Sequence, residues 1–414
     1  MLHEAIKDRK KVLVLNAGSS SLKSCLYELA DSLPQAPPVP LWEGRLEWEE
    51  PFGNVRLRAK REGRQVMDEQ PDLDSESAAA GYLLQTLWEG PASVLAGPEE
   101  VDVVGHRVVH GGEKYSEPTR VTAEMKQEIK SLSPFAPEHN PAEVSGIEIA
   151  EGIFKSRPQV AVFDTAFHQT LPKHAFIYPG PYAWYERGIR RYGFHGISHQ
   201  YCAWRAAGIL HKDVERLRIV TCHLGHGCSL AAVRNGHGVD TTMGFTPLEG
   251  LMMASRCGTI DPGILIHLLR EEKYSADRLE ELLNRESGLL GVSGVSDDMR
   301  QILSAIKKGN ARAGLAFDTF IHRLRQYIGA MIASLGGVDA LAFTGGIGEN
   351  SPEVRAAACS GWDFLGLKLD RQKNGGSPVD CDIASADSAI PVVVVAAREE
   401  WAIAQECWRF ARSA

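Results

Sequence analysis

Two turns in the sequence contain residue types that bind phosphate groups. One spans residues 16–21, with Asn, Gly and three Ser after an apolar run; the other spans residues 223–227, His-Leu-Gly-His-Gly, after a second apolar run. Glycine lets the backbone approach an anion closely, and serine hydroxyls donate hydrogen bonds without adding charge. Each turn alone could be an ordinary hairpin connection, whereas two together indicate a site for a phosphate-bearing ligand.

Ionic side chains within or directly after apolar runs are a second signal. Arg107 lies in the apolar run 102–110, where a cation is costly unless it faces a cleft or an anionic partner such as Glu113. Asp164 follows the apolar run 159–163. Carboxylates at strand ends often point into the clefts of α/β folds, although this one could simply cap the next turn.

The composition is typical of a globular protein with two domains. A chain of 414 residues exceeds the usual size of one core. The net charge of −8 argues against nucleic acid and anionic membranes as general partners, and no apolar run approaches the roughly 20 residues that span a bilayer. The N-terminus has no targeting pattern and the eight cysteines have no C-x-x-C or zinc spacing, so we expect a cytoplasmic protein with reduced thiols.

The two turns are also the centres of a predicted duplication. Asn16 and His223 are separated by half of the 414 residues. Two strand–turn–strand units at that spacing predict related halves that offer their turns to a shared cleft.

Hydrophobic periodicity predicts the elements of the second half. Residues 312–335 have the apolar stripe of a helix. Residues 338–344 form a buried strand that leads into a glycine turn, and Ser351 with Pro352 begins the next helix. A strand followed by a glycine turn and a helix N-terminus can bind an anion or a nucleotide. A C-terminal helix is predicted over residues 399–412.

Eight blocks of residues resemble those of the acetate kinase family, which belongs with the sugar kinases, actin and the Hsp70-type ATPases. In chain order they are NAGSSSLK, GHRVVHGGE, FDTAFH, YGFHGISH, HLGHG, VDTTMGFTPLEGLMM, SGVSDDMR and FTGGIGEN. The resemblance implies an α/β fold with two duplicated ribonuclease H-like (actin-like ATPase) domains and an interdomain cleft. The implied domains are residues 1–165 with about 400–414, which include the C-terminal helix, and residues 166–399, which bind the nucleotide.

The resemblance also implies roles for residues within the blocks. Asp164 occupies the position of the family's catalytic aspartate, and His195 and Arg256 are similar to residues that stabilise the transferred phosphoryl group. Arg107 is similar to the residue that engages the substrate carboxylate. The implied pocket for the acyl chain is small and apolar, with walls from Val109, Phe194 and Pro247.

For the co-substrate, the resemblance implies ATP with Mg²⁺ or Mn²⁺. Asn16 and Glu399 look like the metal site, Ser19 and Ser21 lie near the phosphates, and Asp298 with Arg300 contacts the adenosine part. The implied nucleotide-binding residues are Lys23, His223, Leu224, Gly225, His226, Gly227, Asp298, Met299, Arg300, Gly346, Ile347, Gly348, Glu349 and Asn350.

The residue types fit transfer of a phosphoryl group to a carboxylate. A carboxyl group with an unperturbed pKa of about 4 to 5 is ionised at neutral pH, so the nucleophile needs no general base. Catalysis must instead bring two anions together, which Mg²⁺, Arg107 and Arg256 make possible, while His195 donates one further hydrogen bond. Five other histidines are expected to be structural: His106, His110, His168, His174 and His199.

Three positions depart from the family pattern. Glu138 stands where the family usually has a leucine that lines the acyl pocket, which indicates that the carboxylate points away or is paired, or that the substrate is more polar than acetate. His226 replaces the asparagine of the phosphate turn. The segment Arg398-Glu399-Glu400 replaces Asn-Glu-Glu, so either glutamate could serve the metal.

The sequence therefore predicts a cytoplasmic acetate kinase that makes acetyl phosphate reversibly, and the resemblance implies that it is a homodimer, as the family is. One alternative is a kinase for propionate or another short carboxylate. The other is a non-catalytic nucleotide-binding protein on the same fold, in which Glu138 and His226 mark lost turnover.

Overall fold

The computed structural model describes residues 9–18, 21–34, 36–49, 52–133 and 139–413. The chain divides into two units: one runs to Ala166 and resumes at Arg398, and the other is Phe167–Ala397. Each unit contains one sheet with helices packed on it, which confirms the predicted α/β fold class. Among these residues, no helix is long and apolar enough to cross a membrane.

The first unit is built on an eight-stranded sheet with the order β5-β4-β3-β2-β1-β6-β8-β7. β1 to β5 form an antiparallel meander, whereas β6 is parallel to β1 and β8 is parallel to β6. The carboxyl ends of β1, β6 and β8 therefore lie at one edge. The strands are β1 (Lys10–Ala17), β2 (Ser21–Leu29), β3 (Trp42–Glu49), β4 (Gly53–Arg61), β5 (Arg64–Glu69), β6 (Val103–Val108), β7 (Thr119–Arg120) and β8 (Gln159–Phe163).

The α-helices of this unit, within its described residues, are α1 (Glu76–Gln85), α2 (Ala123–Ser131), α3 (Asn140–Phe154) and α15 (Glu399–Ser413). The side chains of Ser75 and Thr122 cap α1 and α2 by accepting hydrogen bonds from backbone N–H groups of the first turn. The central strand β1 is buried along most of its length, since α15 and α3 both pack against it.

The second unit has a six-stranded sheet with the order β11-β10-β9-β12-β14-β13. β9, β10 and β11 are antiparallel neighbours, whereas β12 is parallel to β9 and β14 is parallel to β12. The strands are β9 (Arg218–Leu224), β10 (Cys228–Arg234), β11 (His237–Thr241), β12 (Ala340–Thr344), β13 (Cys381–Asp382) and β14 (Val392–Val394). The strand order β11-β10-β9-β12-β14 matches the strand order β3-β2-β1-β6-β8 of the first unit. Corresponding pairs of neighbouring strands are also parallel or antiparallel in the same way.

Several helices of the second unit pack against this sheet. The α-helices of this unit are α4 (Lys173–Phe176), α5 (Ala183–Glu186), α6 (Gly196–Ile209), α7 (Pro262–Arg270), α8 (Ala276–Arg285), α9 (Gly288–Ser293), α10 (Met299–Lys307), α11 (Ala311–Leu335), α12 (Gly345–Asn350), α13 (Pro352–Cys359) and α14 (Arg371–Gly375).

Sequence periodicity predicted the long elements well. Helix α11 ends at Gly336, which has a φ of 68°, and Ser351 caps α13 by accepting from the Val354 N–H group, so both predictions are confirmed. The predicted glycine turn after β12 is instead the helix α12. Gly345 is needed there because a Cβ would lie 2.8 Å from the carbonyl oxygen of Leu224.

Strand β11 was not among the predicted elements. It is joined to β10 by Asn235 and Gly236, whose φ angles are 54° and 79°. Positive φ at both positions is typical of a two-residue hairpin turn, and Asn-Gly is its usual sequence. The Asn235-Gly236 dipeptide was therefore the sequence signal for strand β11.

Candidate active site

Three predicted site residues stand at the edge of the first sheet formed by the strand ends. Asn16 lies near the end of β1, Arg107 near the end of β6, and Asp164 directly after β8. Because His106 pairs with Leu15, the next residues along the two parallel strands, Arg107 and Asn16, are neighbours. The fold thus gathers side chains that are far apart in the sequence.

Arg107 forms a buried ion pair with Asp164. Its Nη2 donates to Asp164 Oδ2, and the two side chains are 13% and 2% exposed. Burial by itself lowers the pKa of Arg107, but the carboxylates around it, first Asp164, raise the pKa above its usual value, so the guanidinium stays charged. Its Nε has no hydrogen-bond partner among the described residues. A charged guanidinium with a spare donor is suited to a second carboxylate.

Glu143 is a buried carboxylate that the sequence analysis did not assign to the site. It lies on α3, is 2% exposed, and its Oε2 accepts a hydrogen bond from the Val109 N–H group at 3.0 Å. Burial raises the pKa of Glu143 to about 8, although the charge of Arg107 acts in the opposite direction. The signal in the sequence was an acidic residue on the apolar stripe of α3, next to Val144 and three positions from Asn140.

The residues predicted to hold a metal meet at the start of α15. Asn16 Nδ2 lies 3.4 Å from Glu399 Oε2 and 3.1 Å from Glu400 Oε1. Amide and carboxylate oxygens are ligands that Mg²⁺ prefers, and this ion keeps several waters, so a few protein oxygens suffice. The described residues contain no group of three or more His, Cys, Asp and Glu placed to hold a metal. The donor set fits Mg²⁺.

In the second unit, His195 is the N-cap of α6. Its φ of 56° is in the left-handed region, which is uncommon for a non-glycine residue. The chain reaches it through Gly193, where a Cβ would come within 2.7 Å of His168 and Thr241. The ring of His195 stacks on the ring of His223, with centroids 4.2 Å apart. The predicted catalytic histidine therefore lies beside the first residue of the predicted phosphate turn.

Arg256 borders the same turn. A Cβ on Gly227 would lie 3.2 Å from Cε1 of His195 and 3.6 Å from Nη1 of Arg256. The loop that carries Arg256 is fixed by backbone hydrogen bonds, among them the Leu289 N–H group to the Met253 oxygen at 2.9 Å. Two groups that can donate to a phosphoryl oxygen thus flank one glycine, where the backbone leaves room for an anion.

An open pocket in the second unit brings together most of the predicted nucleotide-binding residues. Asp298 caps α10 and binds the side chain of Arg300, whose guanidinium is 89% exposed. The pocket is lined by Gly225, His226, Asp297, Asp298, Met299, Arg300, Leu303, Gly346, Ile347, Asn350 and Ser351.

The remaining predicted residues are distributed over both units. Lys23 is exposed on β2, opposite Asn16 in the register. Val109 belongs to the first unit, whereas Phe194 and Pro247 belong to the second. Leu224 and Gly348 are buried, and Glu349 Oε1 accepts from the Ala397 N–H group at 3.0 Å. Ser19 and Glu138 lie outside the described residues.

Comparison with known proteins agrees with this geometry. Residues 11–405 match the model of the acetokinase family. The acetate kinase of Gloeobacter violaceus is 58% identical over 405 residues, covering 97% of this chain and 100% of that protein. The acetate kinase of Trichormus variabilis is 57% identical, covering 96% of this chain and 98% of its own.

The fold is also similar to solved structures of an acetate kinase and of a propionate kinase. The acetate kinase of Porphyromonas gingivalis has a TM-score of 0.87 and 41% identity, with 97% of this chain and 99% of that chain covered. A propionate kinase from Francisella tularensis has a TM-score of 0.87 and 37% identity, with the same coverage.

Fold and relatives together define a phosphotransferase that acts on a carboxyl group. The chain belongs to the acetokinase family. The family and the reaction class that were predicted from the sequence are thereby confirmed.

Proposed function

We propose that this protein transfers the γ-phosphoryl group of ATP to acetate, reversibly and in one in-line step, giving acetyl phosphate and ADP. The observation that carries the proposal is the charged, buried Arg107 with a spare Nε donor. It occurs in a chain that is similar over nearly its whole length to proteins named acetate kinase. A guanidinium holds a small carboxylate through paired N–H groups.

The acetate carboxylate is the nucleophile in this reaction. It is ionised at neutral pH, so no base removes a proton. One carboxylate oxygen forms a bond to the γ-phosphorus while the bond from that phosphorus to the β,γ-bridging oxygen breaks, and ADP leaves with the electron pair. Repulsion between the two anions is the main barrier, which explains the choice of cationic side chains.

Each polar residue of the proposed site has a role in offsetting that repulsion. Arg107 holds the acetate, and Asp164 orients the guanidinium by accepting its Nη2 hydrogen bond rather than by taking a proton. Arg256 and His195 donate to oxygens of the transferred phosphoryl group. Asn16 and Glu399 would hold Mg²⁺ or Mn²⁺, and such an ion, when bound, neutralises phosphate charge.

We assign nucleotide binding to the second unit. Its open pocket is lined by Gly225 and by Gly346, with Asp298 and the exposed Arg300 available for the adenosine part. Lys23 of the first unit is assigned to the phosphates. The first unit and the second unit are proposed to be the N-terminal and C-terminal domains of the enzyme.

We further propose that the protein is a cytoplasmic homodimer. Helix α7 supports the dimer, because it presents the large apolar side chains of Ile264, Ile266 and Leu269, each nearly half exposed, to solvent. Analytical ultracentrifugation tests this: the wild type is expected to sediment as a dimer and Ile266→Lys as a monomer, whereas a monomeric wild type would contradict it.

The acceptor is identified by trapping the product. The protein is incubated with ATP, Mg²⁺, hydroxylamine and single acids, because acyl phosphates convert to hydroxamates that can be measured. We expect the highest kcat/KM with acetate. A higher value with propionate would favour the alternative that the Francisella structure illustrates. ATP binding without hydroxamate from any acid would support the non-catalytic alternative.

A further inference from the structure

The ring nitrogen Nδ1 of His195 is the first member of a buried chain of side-chain hydrogen bonds. Nδ1 lies 2.9 Å from Ser229 Oγ, and the same oxygen lies 2.8 Å from His199 Nε2. His199 Nδ1 in turn lies 2.7 Å from Thr221 Oγ1. Ser229, His199 and Thr221 are fully buried. All four belong to the second unit, on β9, β10 and the first turns of α6.

The chain has two possible directions, and each fixes a tautomer of His195. Burial lowers the pKa of His199 well below its usual value, so this ring is neutral and carries one proton. A serine hydroxyl has one proton, so Ser229 donates to one histidine and accepts from the other. If Ser229 donates to His195, the proton of a neutral His195 is on Nε2. If it donates to His199, that proton is on Nδ1.

The far end of the chain favours the first direction. Thr221 Oγ1 can donate to His199 Nδ1 at 2.7 Å, whereas the opposite direction would have it donate to the Ala231 carbonyl at 3.4 Å. A hydrogen bond of 2.7 Å is ordinary and one of 3.4 Å is weak. With Thr221 donating, His199 donates from Nε2 to Ser229, and Ser229 donates to His195 Nδ1.

We propose that Ser229, His199 and Thr221 are positioning residues that hold His195 in the tautomer with its proton on Nε2. This edge of the ring borders Gly227 and Arg256, where the phosphoryl oxygens are expected. The opposite tautomer would present a lone pair to those oxygens and repel them. The inference rests on the proposed function, since it specifies how His195 becomes a hydrogen-bond donor in that reaction.

Ser229→Ala tests the proposal in steady-state kinetics. Without the hydroxyl, His195 can adopt either tautomer, so kcat is expected to fall about tenfold, equivalent to one hydrogen bond, while KM for acetate is unchanged. The matched control is Ser24→Ala, because Ser24 is equally buried and its Oγ donates to the Val14 carbonyl on the other sheet. An equal loss in both variants would overturn the proposal.

The inner members of the chain have their own pair of variants. Thr221→Val removes the first donor and is expected to lower kcat several-fold. Thr241→Val removes a buried hydroxyl of the same sheet, whose Oγ1 donates to the Leu230 carbonyl at 2.9 Å, and should leave kcat unchanged. His199→Gln keeps an N–H donor near the Nε2 position and should retain more activity than His199→Leu. Equal activity in the two His199 variants would contradict the proposed direction.

Nitrogen NMR of the unmodified protein decides the tautomer without any assay of activity. The histidines are labelled with ¹⁵N, and the His195 signals are assigned by their absence in His195→Gln. We expect a bonded proton on Nε2 and none on Nδ1. A proton on Nδ1 would overturn the inference and leave the proposed function intact, whereas absence of kinase activity with the expected tautomer would remove the function instead.

Discussion

The two units place different chemistry on the same arrangement of strands. The series β3-β2-β1-β6-β8 and the series β11-β10-β9-β12-β14 agree in order and direction. Asn16 and His223 stand at matching positions near the ends of the first strands. Arg107 is beside Asn16, whereas Thr344 is beside His223. The same strand end thus carries a cation in one unit and a neutral hydroxyl in the other.

This difference corresponds to two ways of binding an anion. The first unit buries Arg107, and the carboxylate of Asp164 beside it reduces the cost of removing that charge from water. Behind Nδ1 of His195, the second unit instead uses the neutral His199 and the hydroxyls of Ser229 and Thr221, which cost less to bury once their hydrogen bonds are formed. Changes at Arg107 should therefore act mainly through charge, and changes behind Nδ1 of His195 mainly through hydrogen-bond geometry.

The largest expected effect is that of Arg107→Ala. Loss of the guanidinium should lower kcat/KM for acetate on the order of 10³-fold, because its charge offsets the repulsion between the anions. Binding of ADP, assigned to the second unit, should remain within a few-fold by calorimetry. Arg107→Lys should recover only part of the activity, because a lysine lacks the paired donors.

The control for this change is Arg56→Ala, since Arg56 is exposed and pairs with Asp68 at 2.9 Å in the same unit. If Arg107→Ala lost ADP affinity in parallel with activity, the assignment of acetate binding to the first unit and of ADP binding to the second unit would be wrong.

The next effect concerns the metal and separates the two glutamates at the start of α15. Glu399→Gln should raise the Mg²⁺ concentration for half-maximal activity by about 10- to 100-fold, as expected for loss of a ligand. Glu400→Gln is the matched comparison, because its carboxylate also lies beside Asn16, at 3.1 Å. If Glu400→Gln had the larger effect, the assignment of the metal ligand would pass to Glu400.

A smaller effect is expected on stability, through Glu143. Burial raises the pKa of this carboxyl to about 8. Between the ordinary pKa of a glutamate and pH 8, the folded protein therefore keeps a proton that the unfolded chain has released. Stability from this group is fully present below pH 4.5 and is lost as the pH rises toward 8 and above. The Tm of Glu143→Gln relative to wild type should therefore increase by a few degrees from pH 5 to pH 8.5.

Glu148→Gln provides the control for that measurement, because Glu148 lies on the same helix α3 but is exposed and pairs with Lys130. A Tm difference that is constant with pH would mean that Glu143 is ionised throughout, held so by Arg107.

The smallest expected effect is that of Arg300→Ala. The guanidinium is almost fully exposed and its pairing with Asp298 is screened by water, so KM for ATP should rise only about three- to fivefold with kcat unchanged. Arg278→Ala, which removes another exposed arginine of the second unit, should leave KM unchanged. An equal KM for ATP in Arg300→Ala and wild type would place the adenosine elsewhere.

Sequence patterns were sufficient where the cause of a structure is local. The apolar stripe and Gly336 predicted α11, and Ser351 with Pro352 predicted the start of α13. An arginine in the apolar strand β6 was recognisable as a site residue, because an isolated buried cation needs an anion. The helix α12 was not predicted, since a glycine run is typical of a turn; Gly345 has a φ of 80° and packs closely against the Leu224 carbonyl.

The sequence by itself determined the family, the sheet-forming runs and the charged residues that could serve a phosphoryl transfer. The tertiary structure decided their partners: Asp164 for Arg107 across 57 residues, Glu400 for Asn16 across 384, and Ser229 for His195 across 34. Such pairs follow from strand register and helix placement, which are set by the burial of apolar side chains throughout the unit. No local sequence pattern contains that information. The places of Glu143 beside Arg107 and of His199 in the hydrogen-bond chain to His195 were therefore visible only in the folded structure.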